Sequence, residues 1–317
     1  MATLVWDEAG KHNYVTGVDQ VALFVKGSKP IVFGVAGGTG TASNTKKFFN
    51  HATTETPITI VAGTYYQDVV TGKLYKKATA VGAAETDVEE VNGLPDGVSK
   101  PGVAWSGVTA INENPSGAES TKLYADNKEY LNLLSKEEFG FSIEAYASPE
   151  EFDACDGMAG IVYADNPTTG KLGKIHAQTR APFALAFRVL KGNDNQAASV
   201  DGNNYEYHIV YNCRAGVASL THNTVNDSPD AGSFSWDITT IPETEMSDGA
   251  TGAIGELIGD FAPTSHVIID TIGTEEVENA IALIEKFLYG SATNTPVMVP
   301  PSKYDLVLGF DDWAASL

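Results

Sequence analysis

The stretch Phe183-Ala184-Leu185-Ala186-Phe187-Arg188-Val189 decides the fold class. Its large apolar side chains recur at every second position, the period at which side chains leave opposite faces of a strand. Three other segments repeat it. Tyr205, Tyr207, Ile209 and Tyr211 alternate with Glu206 and His208; Phe234, Trp236 and Ile238 alternate with Ser235, Asp237 and Thr239; and Phe141, Ile143 and Ala145 alternate with Ser142 and Glu144. Earlier strands are expected at 18–26 and 102–111, and turns rich in Gly, Asn and Asp separate the later ones at 192–195, 201–204 and 226–232. A mainly β protein follows, with antiparallel sheets packed face to face as a sandwich.

Two helices interrupt the strands. Ser148 is placed to cap a short one, with Pro149 at its first position, Glu150 and Glu151 in its first turn, and an end near Gly157. Thr274 is placed to cap a longer one that Gly290 closes. Its stripe of Val277, Ala280, Ile281, Ile284, Phe287 and Leu288 should pack on a sheet.

Residues 30–98 have a different composition, rich in Thr, Ala and Gly. Thr71-Gly72 reads as a hairpin turn between strands at 64–70 and 73–79. The run from Gly34 to Gly40 lacks the Gly-Lys-Ser/Thr ending of a phosphate loop and reads as a surface turn.

Charge bounds the function. The 317 residues hold 41 acidic and 20 basic side chains, for a net charge of −21. Residues 1–100 contribute 10 acids and 9 bases, whereas residues 101–317 contribute 31 and 11. Such a surface repels phosphate, which argues against gripping nucleic acid through basic side chains. Apolar runs are too short for a membrane span, and residues 1–10 carry Asp7 and Glu8 without a signal-like apolar core. Two cysteines, Cys155 and Cys213, make no disulfide framework and read as small core residues of a soluble protein from a reducing compartment.

No catalytic pattern emerges. The histidines are His12, His51, His176, His208, His222 and His266, and none has the close spacing of a helical zinc pair. The acid pairs Glu89-Glu90, Glu137-Glu138, Glu150-Glu151, Glu275-Glu276 and Asp311-Asp312 are neighbours in sequence, not carboxylates matched across a cleft. No nucleophile elbow or calcium-loop spacing appears. The expectation is a non-enzyme without cofactor or metal.

One succession of motifs is distinctive. It runs Gly-Val-Ala-Trp-Ser-Gly-Val-Thr (102–109), Glu-Asn-Pro-Ser-Gly-Ala-Glu (113–119), Leu-Tyr-Ala-Asp-Asn (123–127) and Tyr-Leu-Asn-Leu-Leu-Ser (130–135). It continues with Glu-Glu-Phe-Gly (137–140), Ile-Glu-Ala-Tyr (143–146) and Pro-Glu-Glu-Phe-Asp-Ala-Cys-Asp-Gly (149–157). With Leu-Val-Trp-Asp (4–7), Thr-Gly-Val-Asp (16–19), residues 222–229 leading into Phe234-Ser235-Trp236, and Phe287-Leu288-Tyr289-Gly290, this order resembles the major tail proteins of long-tailed bacteriophages. His222 stands where an aromatic such as Tyr is expected.

The resemblance covers about 1–28 and 99–317. It implies a tail tube domain made of residues 1–29 and 99–317, with residues 30–98 inserted between two strands as a small β-rich decoration that projects outward. It further implies a β-sandwich with a flanking helix, hexameric rings whose inner strands form a shared barrel, and rings stacked into a tube. Double-stranded DNA would pass through the lumen without specific binding. The expected partners are further copies of the chain and the tail terminator, tape measure and distal tail proteins, and the expected location is the virion tail, assembled in the host cytoplasm. An inner tube of a contractile tail, or another phage structural or decoration protein, is the alternative. Glu144, Glu206 and Asp237 are candidate lumen acids, with Arg188 a basic exception. The irregular-looking segment 112–127, with a turn at Pro115, Ser116 and Gly117 and apolar Leu123 and Tyr124, resembles a ring-stacking loop.

Overall fold

The computed structural model describes residues 13–49, 57–117, 119–135, 137–162, 171–193, 205–220, 231–243, 263–270, 275–292, 294–301 and 304. Residues 4–7, 222–229 and Thr274, on which several expectations fall, lie outside them. The chain is mainly β. Its first strand is β1 (Tyr14–Val25). A group of five follows: β2 (Ile31–Gly37), β3 (Thr45–Phe49), β4 (Tyr65–Asp68), β5 (Leu74–Lys77) and β6 (Asp87–Glu90). Then come β7 (Val103–Ala104), β8 (Val108–Glu113), β9 (Ser120–Ala125), β10 (Lys128–Leu134), β11 (Gly140–Ala145), β12 (Ala159–Val162) and β13 (Lys171–Ile175). The last are β14 (Phe183–Gly192), β15 (Tyr205–Ala215), β16 (Ser219–Leu220), β17 (Phe234–Thr240), β18 (His266–Asp270) and the helix α1 (Glu275–Tyr289).

The main antiparallel sheet has the order β7-β1-β14-β15-β17-β11-β8, with β16 beside β17 and β18 beside β15. Strand β15 is its corner. Glu206 to Val210 pair with β18, while Cys213 to Ala215 pair with β17. The sheet therefore splits into two halves, which face each other across one core. Phe183, Leu185 and Phe187 from one half meet Phe141, Ile143, Trp236 and Ile238 from the other. Trp105 and Trp236 pack edge to face at 5.6 Å, with Phe152 against both.

The deciding stretch differs from expectation in two respects. Ala184 and Ala186 are buried, as are Phe183, Leu185 and Phe187 with which they alternate. They face a second core formed with Ile284, Phe287 and Leu288 of α1. Large residues fill the space between the half-sheets, and small ones let the helix approach closely. Arg188 is also buried, in an ion pair with Asp19 at 2.6 Å and over the Tyr205 ring at 4.1 Å. Asp19 sits between two irregularities of β1, where Gly17 and Gln20 take positive φ.

Strands β2 to β6 form a closed five-stranded barrel, β2-β3-β6-β5-β4, sealed by the parallel pairing of β2 with β4. Phe48, Ile60, Tyr66, Tyr75 and Val88 fill it. Its buried Asp87 accepts bonds from the Thr41 and Ala84 amides at 2.8 and 2.9 Å. Desolvation pushes this carboxyl upward, but the two amide bonds outweigh it and hold it below the usual range. The expected hairpin forms from β4 and β5. Only the second half of the glycine run turns at the surface: Gly38 is exposed at φ 67°, whereas Gly34 and Gly37 belong to β2, and at Gly34 a side chain would strike Phe48 and the Phe49 carbonyl.

The barrel is joined to the sheet by two crossing linkers. The Lys29 amide donates to the Gly97 carbonyl at 2.9 Å and the Lys100 amide to the Val25 carbonyl at 3.0 Å. Gly27 lies against the backbone of 97–99 so closely that no Cβ fits. Val35, Phe49 and Val69 belong to the core shared by α1 and the sheet, and Asn294 donates to the Val70 carbonyl. The segment expected to project outward is packed on the body.

Two smaller expectations need correction. The helix expected from Pro149 is a single 3-10 turn, Glu150–Ala154, with Pro149 at its cap. The segment 112–127 is more regular than expected among the described residues: Asn112 and Glu113 end β8, Ser116 bridges Glu138, and Ser120–Ala125 form β9, paired with β10. The longer helix forms as expected, with Ile284, Phe287 and Leu288 buried and Gly290 at φ 75° after its end. No helix among the described residues is long and apolar enough to cross a membrane.

Candidate functional site

The β8–β11 ladder runs outward beyond the sheet. Asn114 donates to the Gly140 carbonyl at 2.7 Å, Ser116 and Glu138 exchange bonds at 2.8 and 2.7 Å, and β9 then pairs with β10 as far as Ala125–Lys128. Pro115, Ser116 and Gly117 therefore lie along this arm and make no turn. Its tip is at Asp126 and Asn127, both at positive φ, as a tight hairpin requires. Every residue of β9 is exposed, and Leu123, Tyr124, Tyr130, Leu131 and Leu133 all show apolar surface to solvent. A two-stranded ribbon with no core is marginal in water by itself. The exposed Lys122–Glu129 pair, at 2.9 Å, adds little.

Behind the arm, the half-sheet β8-β11-β17 buries one face and leaves the other uncovered. Asn112, Ser142, Glu144, Ser235, Asp237 and Thr239 share the open face, since Ser142 lies opposite Asp237 and Glu144 opposite Ser235. Glu144 and Asp237 are thus diagonal neighbours and both exposed. Asn112 Nδ2 donates to Glu144 Oε1 at 3.4 Å. Glu206 is not with them. It lies on β15, half-buried, bonded to Lys191 Nζ at 2.9 Å, and Lys191 also pairs with Asp270. The basic residue on the open face is Arg214, opposite Thr239, because Arg188 points into the core.

A third arrangement was not legible in the sequence. Pairing of β15 with β18 sets Val210 opposite His266 and His208 opposite Ile268, which brings the two imidazoles together. His208 Nδ1 lies 3.0 Å from His266 Nε2 and 3.3 Å from Glu113 Oε1, at the end of β8. The Phe187 ring stacks on His208 at 4.8 Å, and Phe139 covers His266 at 4.2 Å. Burial pushes His208 below the ordinary histidine range, although Glu113 and Glu206 oppose the shift. Burial and then the neighbouring His208 push His266 down to about 4. Both rings are therefore neutral near pH 7. His208 Nε2 is buried without a hydrogen-bond partner, 4.0 Å from Glu206 Oε2.

The cysteines are both free and buried. Burial pushes the Cys155 thiol up to about 12 and the Cys213 thiol well above its ordinary value, the reverse of an activated nucleophile. A cleft of about 310 Å³ between the barrel and the sheet is lined by Phe24, Lys26, Phe33, Gln67, Tyr211 and Glu243, among others. No family model matches this chain, and no curated protein matches it in sequence.

Proposed function

We propose that the chain is a structural virion protein, the major tail protein of a long-tailed bacteriophage, assembling as stacked hexameric rings around a DNA channel. The observation that carries this reading is the exposed arm formed by β9 and β10. An apolar ribbon without a core is a surface for another molecule. Its residues Leu123 to Asn127 and Tyr130 to Ser135 are also among those that carry the resemblance to tail proteins. The arm reaches a neighbouring ring, and Leu123, Tyr124, Tyr130 and Leu133 dock there.

The open face of β8-β11-β17 supports the same reading. It is polar, bears Glu144 and Asp237, and its end strand β8 pairs with no second strand among the described residues. Pairing between subunits would cover that edge and close a barrel around the axis. An acidic lining denies DNA the Lys/Arg–phosphate contacts that hold a duplex, and screening confines the repulsion to about 8 Å from the wall at physiological salt. In this reading Glu206, tied to Lys191, has no lumen role.

The test is sedimentation velocity of the purified chain over increasing concentration, with negative-stain microscopy of the heaviest fraction. Six-fold rings or tubes support the proposal. A monomer at every concentration, including those of an assembling virion, refutes it.

A further inference from the structure

The geometry points to a zinc site formed by His208 Nδ1, His266 Nε2 and Glu113 Oε1, which ties strand β8 to the β15–β18 corner at the root of the arm. Two imidazoles and one carboxylate are a common donor set for this ion, with a fourth position left for water. A tetrahedron with zinc–ligand bonds of about 2.0–2.1 Å has edges of about 3.3–3.4 Å. The two edges measured from His208 Nδ1, 3.0 and 3.3 Å, are already close to that length. All three donor atoms lie within 4.8 Å of one another.

Hydrogen bonding alone accounts for the cluster less well. In a neutral His208 with its proton on Nδ1, one N–H faces two acceptors while Nε2 stays buried and unpaired. With the proton on Nε2, Nδ1 has no proton to offer the Glu113 carboxylate. Metal ligation through Nδ1 removes the conflict at that atom and fixes the ring proton on Nε2. Nδ1 then bonds the ion, and Nε2 carries the proton with Glu206 as its nearest carboxylate, at 4.0 Å. A ligating histidine ordinarily donates its other N–H to such a carboxylate. Lys191, bonded to Glu206, holds that carboxylate in place. Glu206 thus becomes a positioning residue for the site.

The three ligands come from separate strands. Glu113 belongs to the end strand of one half-sheet, and the histidines to β15 and β18. Zinc would therefore brace the exit of the arm without depending on assembly.

The experiment is isothermal titration of zinc chloride into the full-length chain, made without a histidine tag and freed of metal with chelator. Cobalt(II) spectra serve as a second readout. The expected result is one saturable equivalent per chain, a rise in melting temperature with zinc, and the visible bands of tetrahedral cobalt. Glu113→Gln, at an exposed position, and His266→Gln should each weaken binding by about a hundredfold or more, and Glu206→Gln by about 10-fold. His176→Ala, at an exposed histidine outside the cluster, should leave it unchanged. Absence of saturable binding, binding unchanged in Glu113→Gln or in His266→Gln, or loss of binding in His176→Ala overturns the assignment.

Discussion

Replacing Tyr124 and Tyr130 together by Ser separates the arm's role in assembly from any role in folding. These side chains are 69% and 78% exposed within one chain. At about 200 Å² per tyrosine they leave about 300 Å² in water. If a neighbouring ring covers half of that, about 25 cal/mol per Å² gives about 4 kcal/mol per arm. That corresponds to about a thousandfold weaker docking of each arm, and with six arms per ring the concentration at which rings stack should rise by at least that factor. Stability of the single chain should change by less than about 0.5 kcal/mol, because the substitutions touch no core. Pelleting assays across a dilution series give the first quantity, and thermal melts of the unassembled chain give the second. A folded double variant that pellets at the wild-type concentration refutes the reasoning. So does a large loss of melting temperature, which would show that these tyrosines support the domain itself.

Three further outcomes follow from the cores. Asp19→Ala leaves the buried Arg188 guanidinium without its carboxylate; a loss of about 2–3 kcal/mol in urea unfolding is expected, and a loss under 0.5 would show that the Tyr205 ring suffices. Asp87→Ala strands the Thr41 and Ala84 amides at a cost of about 1–3 kcal/mol each. Because the folded Asp87 pKa is depressed below 3.8, its ionised form stabilises the fold above that pH, and the contribution fades as pH falls through the folded value. The wild-type advantage over Asp87→Ala in melting temperature should therefore be full at pH 6 and shrink as pH drops below about 4; an advantage independent of pH contradicts the assignment. Replacing residues 30–98 by a short Gly-Ser turn uncovers the core around Phe24, Ile284 and Phe287 and should lower the melting temperature by several degrees, whereas an unchanged melt would show that the barrel is only attached to the body.

The period-two runs at 141–145, 183–189 and 234–238 were legible because alternation reports strand directly. The same runs could not reveal how many faces were covered. Ala184 and Ala186 read as a neutral second face until α1 and the barrel were seen to pack on them. Arg188 read as an outward charge because its partner, Asp19, is 169 positions away. The arm carries Leu123, Tyr124, Tyr130, Leu131 and Leu133 on a ribbon that buries none of them, so no alternation of buried and exposed positions marked it as strand. In the glycine run, Gly34 marks the absence of room beside Phe48 and not a turn. The Glu113–His208–His266 cluster left no trace in local spacing. Strand register assembles it, and register over 58 residues is a tertiary property.

The most direct measurement is an electron cryomicroscopy reconstruction of assembled chains at a resolution that separates strands. The account predicts six subunits per ring, the open face of β8-β11-β17 turned to the axis with Glu144 and Asp237 on the lumen wall, and each β9–β10 arm seated on the next ring. An assembly with Glu144 and Asp237 on its outer surface, or with the arms free in solvent, would contradict it.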